Sequence, residues 1–237
     1  MKITGILFDK DGTLLDYHRT WMPVNREAAL RAAGGNRALS ERLLVLAGYD
    51  AAEDRVRADS PLAAWSTAEI AELWATELPG ASGAELTPMM EAIFVGGSSN
   101  NAVPVTDLAA LCGRFKARGL VLGVATHDSH AGAKGSLAPF GVLEQLDFVA
   151  GYDSGHGTKP GPGMVQAFCA ATGLQPGDVA VVGDNLHDLH MGRSAGAALV
   201  IGVLTGTSGE EELAAHADHV LDDINALEML LDGLGRL

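Results

Sequence analysis

Residues 3–15, ITGILFDKDGTLL, run from an apolar segment directly into two aspartates. The apolar part, Ile3–Phe8, lacks the polar alternation of a strand that has one solvent-exposed face, and such a run is typical of a buried parallel strand. Asp9 and Asp11 then stand at the carboxyl end of this strand, where open parallel sheets bind their ligands. The stretch therefore predicts an α/β fold with a site at one edge of its sheet.

Four further apolar runs have the same character, and helical periodicity fills most of the intervals between them. The later predicted strands are Leu120–Ala125, Phe148–Ala150, Val179–Val182 and Ala198–Val203. The predicted helices of this region are Asp107–Arg118, Gly163–Thr172 and Leu186–Ala195. Strands that alternate with helices predict a three-layer, Rossmann-like α/β core built on a parallel sheet.

The interval between the first two strands breaks this rhythm. Residues 17–97 contain no convincing strand, and the segment is far longer than one crossover helix needs. Its helical runs are Val24–Ala33, Leu39–Ala47, Thr67–Glu77 and Leu86–Phe94. We therefore predict an all-helical second domain at 17–97, inserted into an α/β core formed by 1–16 and 98–237.

The charge balance limits the partners of this chain. Its 237 residues include 16 basic and 30 acidic side chains, which gives a formal net charge of −14. An acidic chain is repelled by phosphate backbones and by anionic lipid, so we expect neither a nucleic-acid nor a membrane partner. A small anionic ligand is not excluded, because a local site can carry the opposite charge.

The two cysteines and the first residues bear on the compartment. Cys112 and Cys169 lie far apart in apolar, helix-like context, which indicates a reducing environment without a disulfide framework. The N-terminal residues lack the apolar segment and cleavage site of a signal peptide, and no apolar run reaches the roughly 18 residues of a spanning helix. We expect a cytoplasmic protein and leave its oligomeric state open.

Polar side chains also follow three of the later predicted strands. Thr126 and His127 come directly after the second strand, and Lys159 lies in the glycine-rich loop after the third. Asp184 and Asp188 follow the fourth strand at the start of a predicted helix. Clustered carboxylates repel one another unless a cation lies among them, and hard oxygen ligands suit Mg²⁺. A carboxylate can also attack phosphorus to give an aspartyl-phosphate.

These motifs resemble those of the haloacid dehalogenase superfamily, in particular the phosphoglycolate-phosphatase-like branch with a helical C1-type cap. The resemblance rests on Phe8–Leu14, Thr126, Lys159-Pro160 and Gly183–Asp188, and with the inserted segment it covers nearly the whole chain. It implies a Mg²⁺-dependent phosphatase that hydrolyses a small phosphomonoester, such as 2-phosphoglycolate or a sugar phosphate, through an aspartyl-phosphate.

The resemblance also implies a role for each catalytic position. Asp9 is the expected nucleophile, and Asp11 is the expected general acid and base. Thr126 and Lys159 are expected to hold the phosphoryl group and to steady the nucleophile.

The implied Mg²⁺ ligands are Asp9, Asp184 and Asp11, the last through its backbone carbonyl. Asp188 is expected to support either the metal site or Lys159 indirectly, without being one of the metal ligands.

Two positions depart from the family pattern. His127 stands where many relatives have asparagine, and Lys10 stands between the two aspartates where an apolar residue is common. We expect Lys10 to face solvent. Candidate substrate contacts are Thr13, His127 and the cap residue Arg19.

Three alternative interpretations stay open at this point. A phosphomutase of the same superfamily would return the phosphoryl group to a sugar, and a phospho-aspartate regulatory module would not be an enzyme. A zinc site is the third alternative, because two histidine pairs, His127/His130 and His187/His190, have i, i+3 spacing. Zinc-hydrolase helices instead use i, i+4 spacing with a glutamate between the histidines, so hydrogen-bonding or surface roles are favoured for both pairs.

Overall fold

The computed structural model describes residues 2–236, so the first and last positions of the predicted core lie outside the description. The strands are β1 (Gly5–Phe8), β2 (Tyr49–Asp50), β3 (Arg55–Val56), β4 (Val121–Ala125), β5 (Phe148–Ala150), β6 (Val179–Gly183), β7 (Leu199–Val203) and β8 (His219–Leu221). The α-helices are α1 (Tyr17–Ala32), α2 (Arg37–Leu46), α3 (Pro61–Ala64), α4 (Thr67–Ala75), α5 (Gly83–Asn100), α6 (Leu108–Ala117), α7 (His130–Leu137), α8 (Gly163–Thr172), α9 (Leu186–Ala195), α10 (Glu210–Ala214) and α11 (Leu227–Gly233).

The chain divides into two compact units. One unit ends at Tyr17 and resumes at Val103, and the other is His18–Ala102. The sequence placed this division after residue 16 and after residue 97. The role of the second unit as a cap stays a prediction.

The first unit is built on a parallel sheet of six strands within the described residues, in the order β5-β4-β1-β6-β7-β8. Strand β1 is central, and Leu7 lies opposite Gly123 of β4 and Val181 of β6. The loops that leave β1, β4 and β6 therefore lie side by side at the carboxyl edge of the sheet. This arrangement confirms the predicted Rossmann-like α/β fold.

Helices cover both faces of this sheet. Successive side chains of a strand point to opposite faces, so the apolar residues of β1 need packing partners on both sides. Leu7 packs in a buried cluster with Phe168 of α8 and Met191 of α9. The next residue, Phe8, contacts Phe115 of α6, with ring centroids 6.5 Å apart. Both faces of β1 are therefore buried, which explains why its sequence shows no alternation of apolar and polar residues.

The second unit is helical except for one short strand pair, so the expectation of an all-helical insertion needs a correction. Strands β2 and β3 pair antiparallel, with Tyr49 opposite Val56 and Asp50 opposite Arg55. Asp54 in the connecting turn has a φ of 50°, a conformation that aspartate tolerates better than most residues. Two residues per strand are too few to produce a readable alternation.

The predicted elements of the first unit agree closely with the structure, but the sequence analysis missed several. Strand β5 and helices α8 and α9 have the predicted bounds, and the other predicted strands differ by one or two residues at their ends. Strand β8 and the helices α7, α10 and α11 were not predicted. Within residues 2–236, no helix combines the length and apolar character needed to cross a membrane.

The packing on one face of the sheet gives a stability prediction. Phe168 is fully buried, and its ring lies 5.7 Å from that of Phe148 between the centroids. We expect Phe168→Ala to lower the free energy of unfolding by about 3–5 kcal/mol, because it removes apolar contacts and leaves a cavity. Urea-induced unfolding measures the loss. Met229→Ala is the matched control, since this side chain is 75% exposed and should change stability by less than about 0.5 kcal/mol. Similar losses for the two variants would contradict this account of the core.

Candidate active site

The loop after β1 places two carboxylates in a tight turn. The Asp9 amide donates to the Val182 carbonyl at 2.8 Å, which extends the pairing with β6 by one residue. Gly12 has a φ of 90°, and a Cβ at this position would come within 2.4 Å of the Asp184 carboxyl carbon. A side chain at position 12 would therefore be strained and would push Asp184 out of place.

The end of β6 supplies two further aspartates through the start of α9. Asn185 caps this helix, and its side-chain oxygen accepts from the His187 amide at 3.1 Å. One Asp188 oxygen accepts from the Asn185 amide at 3.2 Å, which fixes Asp188 in the first helical turn. Asp184 precedes the cap and accepts from the Thr207 amide at 3.0 Å. Both carboxylates are buried.

Lys159 ties these two loops together. Its ammonium lies 2.5 Å from an Asp9 oxygen and 2.5 Å from the second Asp188 oxygen. The lysine is buried, so these contacts operate with little solvent screening. Burial alone would lower the pKa of the Lys159 ammonium, but Asp188 and Asp9 raise it above its ordinary value. The two carboxylates therefore favour the charged form of Lys159.

The carboxylates carry more negative charge than Lys159 neutralises. Burial raises the pKa of Asp9 from its ordinary 3.8 to about 7, even though Lys159 opposes the change. Burial, together with the charges of Asp9 and Asp188, raises the pKa of Asp184 well above its ordinary value. Oxygen atoms of Asp9, Asp184 and Asp188 lie within 4.8 Å of one another, a spacing that could hold a metal ion. A divalent cation with oxygen ligands fits this site, because its charge would offset both the burial and the mutual repulsion that raise these pKa values.

Thr126 and His127 lie at the end of β4, beside β1. Thr126 is buried, and its amide donates to the Ala150 carbonyl at 2.9 Å while its hydroxyl oxygen accepts from the Asp128 amide at 3.0 Å. The Nε2 atom of His127 lies 3.3 Å from the Lys159 carbonyl oxygen. Burial, assisted by the positive charge of Lys159, lowers the pKa of His127, so a neutral imidazole is favoured.

Two further residues, Thr13 and Arg19, were predicted to contact the substrate. Thr13 is buried in the turn after Asp11, and its amide donates to the Lys10 carbonyl at 3.4 Å. Arg19 is an exposed residue of helix α1 in the second unit, so its proposed substrate contact stays a prediction.

The histidines have other partners than the zinc alternative requires. The His127 ring packs on His187, with centroids 5.8 Å apart, and His190 lies 3.3 Å from His216 between ring nitrogens. The Nδ1 atom of His130 lies 3.2 Å from the Val149 carbonyl oxygen. Across residues 2–236, the group that could hold a metal consists of three aspartates and includes no histidine.

Sequence reasoning missed the loop that follows β7. The Thr205 hydroxyl donates to the Gly12 carbonyl at 2.7 Å, and the Thr207 amide holds Asp184 as described above. A Cβ on Gly206 would lie 1.7 Å from an Asp184 oxygen, so only glycine fits there. This loop also leaves the carboxyl end of a parallel strand, and applying the same rule to β7 would have identified it.

The expectation that Lys10 faces solvent was wrong. Its side chain is fully buried, and its ammonium lies 2.7 Å from Asp11 and 3.1 Å from Asp128. Burial alone would lower the pKa of the Lys10 ammonium, but the two carboxylates raise it above its ordinary value. The sequence shows that position 10 carries a positive charge, but it does not show which way the side chain points. The partners of Lys10 therefore become visible only in the folded structure.

A family model and several known proteins are similar to this chain. A family model for haloacid dehalogenase-like hydrolases matches residues 3–196. The chain is 27% identical over 237 residues to N-acetylmuramic acid 6-phosphate phosphatase of Pseudomonas aeruginosa, covering 98% of this chain and 96% of that protein. It is 30% identical over 118 residues to phosphoglycolate phosphatase of Rhodospirillum rubrum, covering 50% of this chain and 48% of that protein.

A solved structure shows the same fold. The crystal structure of a predicted phosphoglycolate phosphatase from Haemophilus somnus 129PT superposes with a TM-score of 0.75 at 21% identity, covering 97% of this chain and 98% of that one. At this identity the likeness establishes the fold alone.

The raised pKa of Asp9 predicts how stability depends on pH without metal. Between its unfolded pKa near 3.8 and its folded pKa of about 7, the folded chain keeps a proton that the unfolded chain releases. This contribution to stability is present below about pH 4 and is lost as the pH rises to about 7. In excess chelator, we expect the unfolding free energy of the protein, relative to Asp9→Asn, to fall by on the order of 2 kcal/mol from about pH 5 to about pH 8. A difference that stays flat or rises over this range would contradict the raised pKa.

Proposed function

Because the chain belongs to the haloacid dehalogenase-like hydrolases, we propose that it is a Mg²⁺-dependent phosphatase of small phosphomonoesters. The observation that carries this proposal is the contact of Asp9 with Lys159 inside a buried cluster of aspartates. A carboxylate held beside a fixed positive charge is suited to attack an anionic phosphoryl group, because the lysine offsets their repulsion. The relatives reported above are named as phosphatases.

In the proposed first step, an Asp9 oxygen attacks phosphorus and the bond from phosphorus to the ester oxygen breaks. Lys159 and the Thr126 hydroxyl bind phosphoryl oxygens, and Asp11 gives a proton to the departing oxygen. Asp11 is 18% exposed at its side chain, unlike the buried Asp9, so it can reach the leaving group. The products are an alcohol and an aspartyl-phosphate at Asp9.

The proposed second step hydrolyses this intermediate. Asp11, now a carboxylate, accepts a proton from a water molecule that attacks phosphorus, and the bond from phosphorus to the Asp9 oxygen breaks. Free phosphate leaves, and Asp9 returns to its carboxylate form. Mg²⁺, held by Asp9, Asp184 and the Asp11 backbone carbonyl, would supply positive charge that lowers the pKa of the aspartates and stabilises the phosphoryl oxygens. Asp188 keeps Lys159 in place, through the contact described above.

We propose a small phosphorylated metabolite as the substrate, with a sugar 6-phosphate as the first choice. The relative that matches along almost the full chain is named for a sugar 6-phosphate, whereas the phosphoglycolate phosphatase matches about half of it. The unit His18–Ala102 is the proposed cap, and Thr13, His127 and Arg19 are the proposed contacts of the substrate. The neutral His127 would offer a hydrogen bond rather than a charge to the leaving group.

Removing the nucleophile is the most direct activity test. We expect Asp9→Asn to lower kcat for phosphate release from p-nitrophenyl phosphate by roughly 1,000-fold or more, because the amide cannot form the covalent intermediate. Activity of the unaltered protein should require Mg²⁺ and should disappear in excess chelator.

The matched control is Asp178→Asn. Asp178 lies just before β6, at the opposite end of the strand from Asp184, and its carboxylate accepts from the Gln175 amide. This variant should keep kcat within about twofold. An Asp9→Asn variant as active as the control would overturn the mechanism. Glucose 1-phosphate converted to glucose 6-phosphate without phosphate release would favour the phosphomutase alternative, and a phospho-Asp9 half-life of hours would favour a regulatory module.

A further inference from the structure

Lys10 forms a second buried lysine contact at the same sheet edge. Its side chain is 0% exposed and bridges Asp11 at 2.7 Å and Asp128 at 3.1 Å. A buried ammonium is costly unless it is paired, so the two carboxylates are part of what allows a lysine at this position. The mechanism described above assigns no role to Lys10 or to Asp128.

The two buried lysines form parallel ion pairs, although the contacts of Lys159 are hydrogen bonds and those of Lys10 are contacts between charges. Lys159 joins Asp9 to Asp188, which lies in the first turn after β6. Lys10 joins Asp11 to Asp128, which lies in the loop after β4. Each lysine therefore binds one carboxylate of the loop after β1 and one carboxylate from the loop of a neighbouring strand.

Asp128 is itself a fixed anchor. Its amide donates to the Thr126 hydroxyl at 3.0 Å, and one of its carboxylate oxygens accepts from the Ser129 amide at 2.7 Å. Its carbonyl accepts from the Tyr152 amide at 3.0 Å. The other carboxylate oxygen faces Lys10. Lys10 therefore lies between this anchor and the Asp11 carboxylate.

We propose that Lys10, anchored by Asp128, is a positioning residue that orients the Asp11 carboxyl for proton transfer. This inference rests on the proposed function, in which Asp11 protonates the ester oxygen as the bond from phosphorus to that oxygen breaks. The proton moves from Asp11 to the oxygen, and the bonding electron pair stays on that oxygen. Proton transfer depends on how the Asp11 carboxyl is oriented toward the ester oxygen. Loss of this orientation should therefore slow the reactions whose leaving group needs a proton from Asp11.

Leaving-group dependence separates this role from a general structural one. A 2,4-dinitrophenolate ion leaves without a proton, whereas phenolate is a much poorer leaving group and needs one. For a two-step hydrolase, kcat/KM covers only the steps up to release of the alcohol, so the later hydrolysis of phospho-Asp9 does not affect it. The probes are 2,4-dinitrophenyl, 4-nitrophenyl and phenyl phosphate, assayed with the full chain and saturating Mg²⁺.

We expect Lys10→Met to lower kcat/KM for phenyl phosphate by about tenfold and for 2,4-dinitrophenyl phosphate by less than about twofold. Asp128→Asn should act in the same direction with a smaller effect. In an Asp11→Asn background, Lys10→Met should add no further leaving-group dependence, because the group that it orients is already gone. Lys116→Met is the matched control, since this lysine also pairs with an aspartate, Asp147 at 2.6 Å, but lies in α6; it should leave the dependence unchanged.

Equal losses for all three esters, or a shallower dependence on the leaving group, would overturn the positioning role. If Lys10→Met does not fold, as judged by thermal unfolding, Asp128→Asn decides: a preferential loss for phenyl phosphate supports the role, and a uniform loss or no loss overturns it. Different results would overturn the proposed function itself. They are an unaltered protein that shows no Mg²⁺-dependent phosphatase activity, or an Asp9→Asn variant that keeps this activity.

Discussion

The structure depends on holding several like charges together in a buried place. Asp9, Asp184 and Asp188 lie within a few ångströms of one another at the carboxyl edge of the sheet, largely shielded from water. In isolation this arrangement would be strongly unfavourable. Lys159 offsets part of the negative charge, and the backbone amides of Asn185 and Thr207 donate hydrogen bonds to Asp188 and Asp184. Gly12 and Gly206 leave the space that the Asp184 carboxylate occupies. The repulsion that is left favours a bound cation, and the charge of such a cation would in turn attract an anionic substrate.

The sheet supplies this arrangement through the position of β1. Because β1 lies between β4 and β6, its loop can contact the loops of both neighbours. Lys159 connects the β1 loop to the β6 side, and Lys10 connects it to the β4 side. The loop after β7 contacts the same turn through Thr205. The buried central strand thus presents the proposed nucleophile and the proposed acid from a single turn.

The sequence predicts this framework well because buried parallel strands and their polar exits leave a strong local pattern. The bounds of α8 and α9 were predicted from helical periodicity, and the carboxylates at 9, 11, 184 and 188 were predicted from their positions after strands. The family resemblance added the expected roles. What could not be predicted lacks such a pattern. Strand β8 has three half-buried residues, and β2 and β3 have two each, which is too short for periodicity. The burial of Lys10 depends on Asp128, more than a hundred positions away, and no local pattern shows such a pairing.

The central claim is that Asp9 carries the phosphoryl group during turnover. The most direct measurement is an acid quench during steady-state hydrolysis of ³²P-labelled p-nitrophenyl phosphate, followed by proteolysis and mapping of the labelled peptide by mass spectrometry. We predict an acid-stable, base-labile phosphoryl group on Asp9, and more of it in an Asp11→Asn variant, in which the attacking water lacks its base. Label on a different residue, or full turnover with no covalent label at any quench time, would contradict the account.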